Sequence, residues 1–229
     1  MSDLPLIKEA GLAVRVIQGP KEHEQAFRLR HTIYCRRLRW VLGYANDLEI
    51  DDYDSHAISL GVFNETERLL GVVRILPGTG SFMLEQEFRS LLDPGYCLQK
   101  GPHVIELTRL ATLAAGIPPW HAALIARLLY KGLYHWVTRE DIHLLYFVVE
   151  TRYLKALWRQ GLPCQTLGRS QRMADGPECV AVLLSRKGPY ESSALIPRIL
   201  PHRPIKAFGP GSDRNPPASS AVISFDAQT

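Results

Sequence analysis

The chain has 229 residues, of which 46% are hydrophobic and 22% are charged. These values are ordinary for a folded protein and exclude collagen, a coiled coil and disorder throughout the chain. Lys and Arg number 27 against 23 Asp and Glu, so the net charge is only +4. Nucleic-acid-binding proteins usually concentrate positive charge on one face, and so small an excess predicts no nucleic-acid partner.

The cysteines and histidines predict a reducing compartment and no bound metal. The four cysteines are far apart in the chain, at Cys35, Cys97, Cys164 and Cys179. They form no Cys-x-x-Cys pair, and the eight histidines show no ligand-spaced or triad pattern, so we predict free thiols and no zinc. The first residues show no basic start followed by an apolar run, and no stretch is apolar enough to span a bilayer. We expect a cytoplasmic protein without integral membrane association.

The hydrophobic pattern predicts alternating strands and helices. A strand at 13–17 precedes a helix from Pro20 to about Leu38, and a polar loop at 46–54 follows. The later predicted elements are strands at 56–63 and 68–76, a short helix at 83–92, a strand at 104–110, a helix at 119–137, a strand at 142–149, a helix at 151–159, and strands at 164–167 and 180–184. This order indicates a single α/β (α+β) domain with a mixed sheet over residues 1–200. The proline-rich segment 201–229 is predicted to be a flexible tail.

Arginines crowd the end of the first helix, and acids crowd the loop after it. The arginines are at positions 28, 30, 36, 37 and 39, and the acids at 47, 49, 51, 52 and 54. Either two oppositely charged surface stretches attract each other, or the loop is an ordered cap over a polar small-molecule site. Arg30 favours the cap, because it lies on the apolar side of the helix with Phe27 and Tyr34 and needs solvent or a buried carboxylate. Asp51 and Asp54 are its natural partners.

Glu106 interrupts the otherwise apolar strand at 104–110. A carboxylate in a central strand is costly to bury unless it is paired or protonated. Glu106 is therefore either one half of a salt bridge, to Arg74 or Arg109, or a general base with a shifted pKa. In a regular strand Glu106 and Arg109 point to opposite faces, so they converge only if a β-bulge intervenes.

Three further residues have ordinary interpretations when each is taken alone. Arg74 near the end of a predicted strand would be a solvated edge charge, and Trp40 and Phe88 would be packing aromatics. Together with the residues above, however, they complete an ordered set of short motifs. These are Arg30-x3-Tyr34-x5-Trp40, Glu49-x-Asp51-x2-Asp54, Gly71-x2-Arg74-x2-Pro77, Met83-Leu84-x3-Phe88 and Glu106-x2-Arg109.

This ordered set resembles the acyl-homoserine-lactone synthases, the autoinducer synthase family of bacterial quorum sensing. The resemblance covers about residues 25–170, with Tyr34 where the family usually has Phe and Thr108 where it usually has Ser. Long-chain N-acyl amino acid synthases and exosortase-associated acyltransferases share part of the pattern, but Trp40 and the Met83-Leu84-x3-Phe88 motif favour the lactone synthases. A non-catalytic acyl- or nucleotide-sensing module is an alternative of another class, which has little use for a buried Glu106.

The resemblance implies a GNAT-like fold, in which a V-shaped mixed sheet is flanked by helices. It implies two substrates, S-adenosylmethionine and an acyl group on acyl carrier protein, and no cofactor. The amine of S-adenosylmethionine would attack the thioester, and its carboxylate would then displace methylthioadenosine to close the lactone.

The resemblance also assigns roles to residues. The expected catalytic residues are Glu106, Asp51 and Arg109. The expected substrate-binding residues are Arg30, Tyr34, Trp40, Asp54, Arg74, Phe88 and Thr108. Glu106, alone or through a water, is the candidate base, and a backbone N–H at a distortion of its strand is the candidate oxyanion donor.

Two features favour a carrier protein over free coenzyme A as the acyl donor. Residues 111–118 contain one glycine, where an acetyl-CoA-dependent enzyme of this fold would have a glycine-bearing pyrophosphate loop. Residues 151–190 contain seven basic and two acidic side chains, which suits an acidic carrier protein. We expect Arg152, Lys155 and Arg159 to bind it.

Overall fold

The computed structural model describes residues 4–41, 46–113, 116–159, 161–172 and 176–186. The predicted tail at 201–229, and the end of the predicted domain at residue 200, lie outside these ranges.

Nine strands and three α-helices lie within the described residues. In chain order they are β1 (Ile7–Glu9), β2 (Leu12–Val16), α1 (Gly19–Arg30), β3 (Ile58–Asn64), β4 (Leu69–Pro77), β5 (Val104–Thr112), α2 (Pro119–Arg139), β6 (Leu144–Glu150), α3 (Thr151–Arg159), β7 (Cys164–Thr166), β8 (Gln171–Arg172) and β9 (Glu178–Ser185). The helix that begins with α1 continues as a π-helical segment, His31–Arg37. Short 3-10 helices cover Asp52–Ser55, Met83–Glu85 and Arg89–Leu91.

Every predicted strand is present, but two short strands and one segment differ from the prediction. The strands β1 and β8 are three and two residues long, too short to show a period-2 pattern. The helix predicted at 83–92 is wrong, because two separate 3-10 turns stand there. Backbone groups of the first turn bind a side chain of β5, described below, and this tertiary contact overrides the helical pattern.

The sheet is mixed, with the strand order β1-β2-β3-β4-β5-β6-β9-β7 and β8 paired to β9. All neighbours are antiparallel except β5 and β6, which run parallel and pair from Val104–Leu144 to Leu107–Phe147. Helices α2 and α3 pack on one face of the sheet with the largest hydrophobic cluster. Helix α1 and the 3-10 turns lie on the opposite face. One face of the sheet is thus covered by α2 and α3, and the other face is covered by α1 and the 3-10 turns.

A β-bulge distorts β5 just beyond that parallel pairing. Arg74 pairs with Thr108 and Val72 pairs with Ala111, so Val73 alone lies opposite two residues of β5. Arg109, one of those two, has a φ of +51°, in the left-handed region. Such a bulge re-aims the side chains that follow it. The predicted condition for Glu106 and Arg109 to share a face is therefore met.

Two smaller expectations concern the cysteines and the membrane. All four cysteines are free, as predicted. Among the described residues, no helix has both the length and the apolar character needed to cross a bilayer.

Helix α2 approaches β2 so closely that only glycine fits at one position. A Cβ atom on Gly132 would lie 2.4 Å from Val14 Cγ1, in the core of the sheet. We expect Gly132→Ala to lower the free energy of unfolding by about 1–3 kcal/mol through overpacking. This loss exceeds the gain of about 1 kcal/mol that alanine brings to a helix. Urea unfolding measures the change.

Shortening the opposing side chain provides the control for this steric explanation. The double variant Val14→Ala/Gly132→Ala should lose less unfolding free energy than the sum of the losses in the two single variants. Additive losses, or a Gly132→Ala protein as stable as the unsubstituted chain, would contradict the close approach of α2.

Candidate active site

Three arginine side chains are buried on the sheet face that carries α1. Arg30 ends α1, Arg74 lies in the middle of β4, and Arg109 lies in the β5 bulge. Their exposed fractions are 1%, 0% and 0%. The interpretation of Arg74 as a solvated edge charge is therefore wrong, because β4 is a central strand covered on both faces. Guanidinium groups this deep need carboxylates to satisfy their donors.

Glu49 lies between two of these arginines and is itself fully buried. Arg30 Nε donates a hydrogen bond to Glu49 Oε2, and Arg109 Nε donates to Glu49 Oε1 at 3.0 Å. Burial alone would raise the pKa of the Glu49 carboxyl, but the charges of Arg109 and Arg30 lower it to about 2. No role was predicted for Glu49, although its two-residue spacing from Asp51 in the acidic motif was an available signal.

Asp51 and Asp54 accept the remaining arginine donors. Asp54 accepts hydrogen bonds from Arg30 at 2.6 and 3.0 Å and from Arg74 at 3.0 Å. Asp51 accepts from Arg109 at 2.9 Å and from Arg74 at 2.5 Å, whereas its oxygen stays 4.0 Å from the Arg30 guanidinium. The predicted pairing of Arg30 with Asp54 is confirmed, and Asp51 mainly serves the other two arginines. Burial opposes ionisation of Asp54, but Arg30 and Arg74 lower its pKa to about 2.

These side chains form one charge-balanced group of three guanidiniums and three carboxylates. We call it the Arg–carboxylate cluster: Arg30, Arg74, Arg109, Glu49, Asp51 and Asp54. The local fold of the acidic loop fixes two of its members, because Asp51 caps the 3-10 helix at Tyr53 N–H and Asp54 binds back to Asp51 N–H at 2.9 Å. The Asp51 side chain is 18% exposed, more than the 10% of Asp54 and the 0% of Glu49. Asp51 is therefore the carboxylate of the cluster that is most open to a ligand.

The exposed ends of the arginine-rich helix and the acidic loop also attract each other, as the surface interpretation predicts. Arg36 and Asp47, both at least half exposed, form a pair at 2.8 Å. The charge pattern therefore combines an exposed ion pair with a buried group of ion pairs, and the cap over a small-molecule site stays a prediction.

Glu106 is fully buried next to the cluster but outside it. Its carboxylate accepts hydrogen bonds from Met83 N–H at 2.6 Å and from Leu84 N–H at 3.2 Å. The salt bridge proposed to Arg74 or Arg109 is not what holds this side chain; backbone N–H groups hold it instead. Burial raises the pKa of Glu106 to about 8, although these N–H groups and the charge of Arg74 favour the ionised form. A carboxyl group with this pKa can exchange a proton near neutral pH.

Met83 connects Glu106 to the cluster. Its sulfur lies 3.2 Å from Arg74 Nη2 and 3.6 Å from Arg109 Nη1, while its N–H binds Glu106. Thr108 supports the same arrangement, because its hydroxyl accepts a hydrogen bond from Arg74 Nε at 2.9 Å. Met83 belongs to one of the sequence motifs, but no role was predicted for it. Its functional group is a backbone N–H, which every residue except proline has, so the residue type does not indicate the role.

The three predicted aromatic residues surround this region. Tyr34 is fully buried, and its hydroxyl donates to the carbonyl of Leu110 in the bulge at 3.0 Å. Trp40 is half-buried, with its ring centroid 6.1 Å from that of Tyr34, and it packs against both hydrophobic clusters on this face. Phe88 is buried in the cluster that contains Met83. These aromatic side chains place apolar surface around the Arg–carboxylate cluster.

The three basic residues expected to bind a carrier protein share one exposed surface of α3. Arg152, Lys155 and Arg159 are all exposed, whereas Leu154 and Leu157 are buried against the sheet. Arg152 also contacts the Glu150 carboxylate. This surface lies on the opposite face of the sheet from α1, beside the strand that forms the parallel pair with β5.

The mixed sheet, with one short parallel pair and a bulge in β5, has a GNAT-like architecture. The chain belongs to the autoinducer synthase family, whose model matches residues 12–187. Curated relatives in this family are acyl-homoserine-lactone synthases, and the chain is accordingly an enzyme that makes a quorum-sensing autoinducer. The prediction of family and fold is confirmed.

Two relatives and one solved structure give the extent of the similarity. The acyl-homoserine-lactone synthase of Aliivibrio fischeri is 31% identical over 150 residues, covering 65% of this chain and 77% of that protein. The enzyme of Vibrio anguillarum is 27% identical over 180 residues, covering 75% and 90%. The structure of the synthase LasI superposes with a TM-score of 0.70 at 24% identity, covering 80% of this chain and 94% of that one.

Removing the Glu49 charge tests whether the cluster holds this face of the fold together. We expect Glu49→Gln to lower the free energy of unfolding at pH 7 by about 3–5 kcal/mol, because it leaves buried guanidiniums short of a carboxylate. The matched control Asp47→Asn breaks only the exposed pair with Arg36 and should cost about 1 kcal/mol or less. Urea unfolding of both variants gives the comparison.

The loss of stability in Glu49→Gln should also depend on pH. The pKa of Glu49 is about 2 in the folded chain against an ordinary value of 4.5. Its stabilisation is therefore complete above about pH 4.5 and is lost as the pH falls toward 2. The difference between Glu49→Gln and the unsubstituted chain should shrink over that window. A difference that stays constant from pH 7 down to pH 2.5 would contradict the role of the Glu49 charge.

Proposed function

We propose that this synthase transfers an acyl group from acyl carrier protein to the amine of S-adenosylmethionine and releases methylthioadenosine as the lactone closes. The observation that carries the proposal is Glu106, a fully buried carboxyl with a pKa of about 8, set beside a charge-balanced cluster. Related structures support the choice of acceptor. TofI has been solved with methylthioadenosine, and the synthase BjaI with S-adenosylmethionine and isopentyl-CoA.

The Arg–carboxylate cluster suits a substrate that carries both an ammonium and a sulfonium. Asp51 is its most exposed carboxylate, and it is oriented by Arg74 and Arg109 together with the capping contact at Tyr53 N–H. A carboxylate held in this way attracts a cation without having to reorganise. The forked guanidiniums fix its direction, which lysine ammonium groups would not do. We assign Asp51 and Asp54 to binding the positive charges of the substrate.

The first step is acyl transfer. Glu106 removes a proton from the substrate ammonium, directly or through a water, and the free amine attacks the thioester carbonyl carbon. A backbone N–H in the bulge at Arg109 and Leu110 is the candidate donor to the developing oxyanion. Collapse of the tetrahedral intermediate breaks the C–S bond, forms the amide and releases the carrier thiol.

The second step closes the ring. The carboxylate of the acylated substrate attacks the methylene carbon attached to the sulfonium, forming the C–O bond of the lactone. The C–S bond to that carbon breaks, and its electron pair neutralises the sulfonium as methylthioadenosine leaves. The apolar surround of Trp40 and Phe88 keeps water from competing for either electrophilic carbon.

A carrier protein is the proposed donor because of the basic surface of α3. Lys155 and Arg159 are exposed there without an acidic neighbour in their own helix. Long-range attraction of this kind steers acidic partners. BjaI and MesI are described as CoA-dependent synthases, so coenzyme A is the competing donor. The free thiols of the chain agree with a cytoplasmic site of synthesis, which we include in the proposal.

Glu106→Gln tests the base directly. We expect kcat to fall by about 10²–10⁴-fold, since a neutral amide cannot accept the proton. In the unsubstituted enzyme, kcat/KM should rise with pH and level off above about 8, where Glu106 is ionised. Lactone and methylthioadenosine are measured by mass spectrometry. The control Glu65→Gln, at an exposed carboxyl, should leave turnover unchanged.

Loss of activity in Glu106→Gln is expected without loss of the fold. Because the folded-state pKa of about 8 lies above the ordinary 4.5, ionisation of Glu106 destabilises the fold progressively between these values. The stability of Glu106→Gln relative to the unsubstituted chain should therefore increase from pH 5 to pH 8.5. Full turnover in Glu106→Gln would refute the assignment of the base.

The donor is tested with a charge reversal on α3. Lys155→Glu/Arg159→Glu should raise KM for acyl-acyl carrier protein by about tenfold or more, since like charges would then oppose docking. Turnover with acyl-pantetheine, which lacks the protein, should be unaffected. The control Arg28→Glu reverses an exposed charge on the opposite face of the sheet. If acyl-CoA is the better donor and the double variant behaves as the parent, coenzyme A replaces the carrier protein in the proposal.

A further inference from the structure

His103 meets Asp141 and His143, which are distant from it in sequence but close to each other, at the end of the sheet where β5 and β6 begin. His103 directly precedes β5, and Asp141 and His143 lie in the turn between α2 and β6. Asp141 Oδ1 lies 3.0 Å from His143 Nε2, and its Oδ2 lies 3.4 Å from His103 Nδ1. One potential ligand atom from each side chain lies within 4.8 Å of the others.

We propose that these three side chains bind a divalent transition-metal ion of the zinc class. Imidazole nitrogens and a carboxylate oxygen are the preferred ligands of such ions. Bonds of about 2.0–2.1 Å in a tetrahedron bring ligand atoms to about 3.3 Å from one another. The 3.0 and 3.4 Å distances, each to a different Asp141 oxygen, are close to this value, and water would complete the coordination. His103 Nδ1 also lies 2.9 Å from the Asp141 backbone carbonyl, a contact that the ion would replace. This proposal departs from the sequence-based prediction of no metal.

The backbone holds the three residues in place before any ion binds. His143 N–H donates to the His103 carbonyl at 2.8 Å, and the His143 carbonyl accepts from Arg186 N–H at 2.8 Å. The two imidazole rings are stacked, with centroids 4.7 Å apart and an interplanar angle of 14°. Asp141 has a φ of +51°, a conformation that aspartate tolerates better than most residues. These backbone contacts bring the side chains close together, and on binding the rings would turn out of their stack so that a nitrogen of each one points at the ion.

The ion would connect the loop before β5 to the turn before β6. These segments start the parallel pair, whose first paired residues are Val104 and Leu144. Its function would be structural, because it would fasten the parallel strands at the end where they begin. No step of the lactone synthesis involves it, so a failed metal experiment leaves the proposed function intact.

The test is zinc titration of the full-length, metal-depleted chain by calorimetry in a Cys97→Ser background, which removes an exposed thiol because thiolates are themselves zinc ligands. We expect one ion per chain. The variants His103→Ala, His143→Ala and Asp141→Asn should each weaken binding by about tenfold or more, since losing even an outer-shell partner of a metal costs about 10–100-fold. Asparagine preserves the left-handed backbone at position 141. The control His121→Ala, at a histidine that stacks on Trp120, should bind as the parent does.

A second measurement requires no substitution in the site. Zinc should protect His103 and His143, but not His121, from acylation by diethyl pyrocarbonate, as read by mass spectrometry. It should also raise the unfolding temperature of the parent but not that of the variants. Absence of binding, binding of equal strength in all variants, or protection confined to other histidines would overturn the proposal.

Discussion

The structure depends on the requirement that charge buried in the interior be balanced locally. Three guanidiniums lie on one face of the sheet with almost no exposure, and each needs acceptors that water cannot supply. The acidic loop supplies them from Glu49, Asp51 and Asp54, so it is fixed against α1, β4 and β5 at once. A group of oriented charges can therefore persist between two hydrophobic clusters.

Burial has opposite consequences for two neighbouring carboxyls. Glu49 touches two arginines, and their charges outweigh its desolvation, so it remains ionised down to strongly acidic pH. Glu106 accepts hydrogen bonds from the backbone N–H groups of Met83 and Leu84, and desolvation prevails, so its pKa rises to about 8. The opposite pKa shifts of these two carboxyls follow from what each one contacts, and residue type alone does not show them.

Much of this arrangement could be predicted from sequence. Apolar periodicity identified the main strands and helices, and an arginine on an apolar helix face together with a glutamate in an apolar strand marked the site. The parts that could not be predicted are those made by tertiary contacts. The Met83 and Leu84 N–H groups that bind Glu106 replace a predicted helix. Glu49 differs from its acidic neighbours only in depth, and His103 meets His143 only because β5 and β6 are adjacent.

The β5 bulge constrains the number of residues in β5 as well as their identity. Glu106 and Arg109 share a face only because two residues of β5 lie opposite Val73. Deleting one residue there would restore regular alternation, rotate the Arg109 guanidinium to the α2 face and leave Glu49 with Arg30 and Asp51 with Arg74 as their one remaining arginine partner. In evolutionary terms, an insertion or deletion at the β5 bulge is as disruptive as the loss of the Arg109 side chain itself.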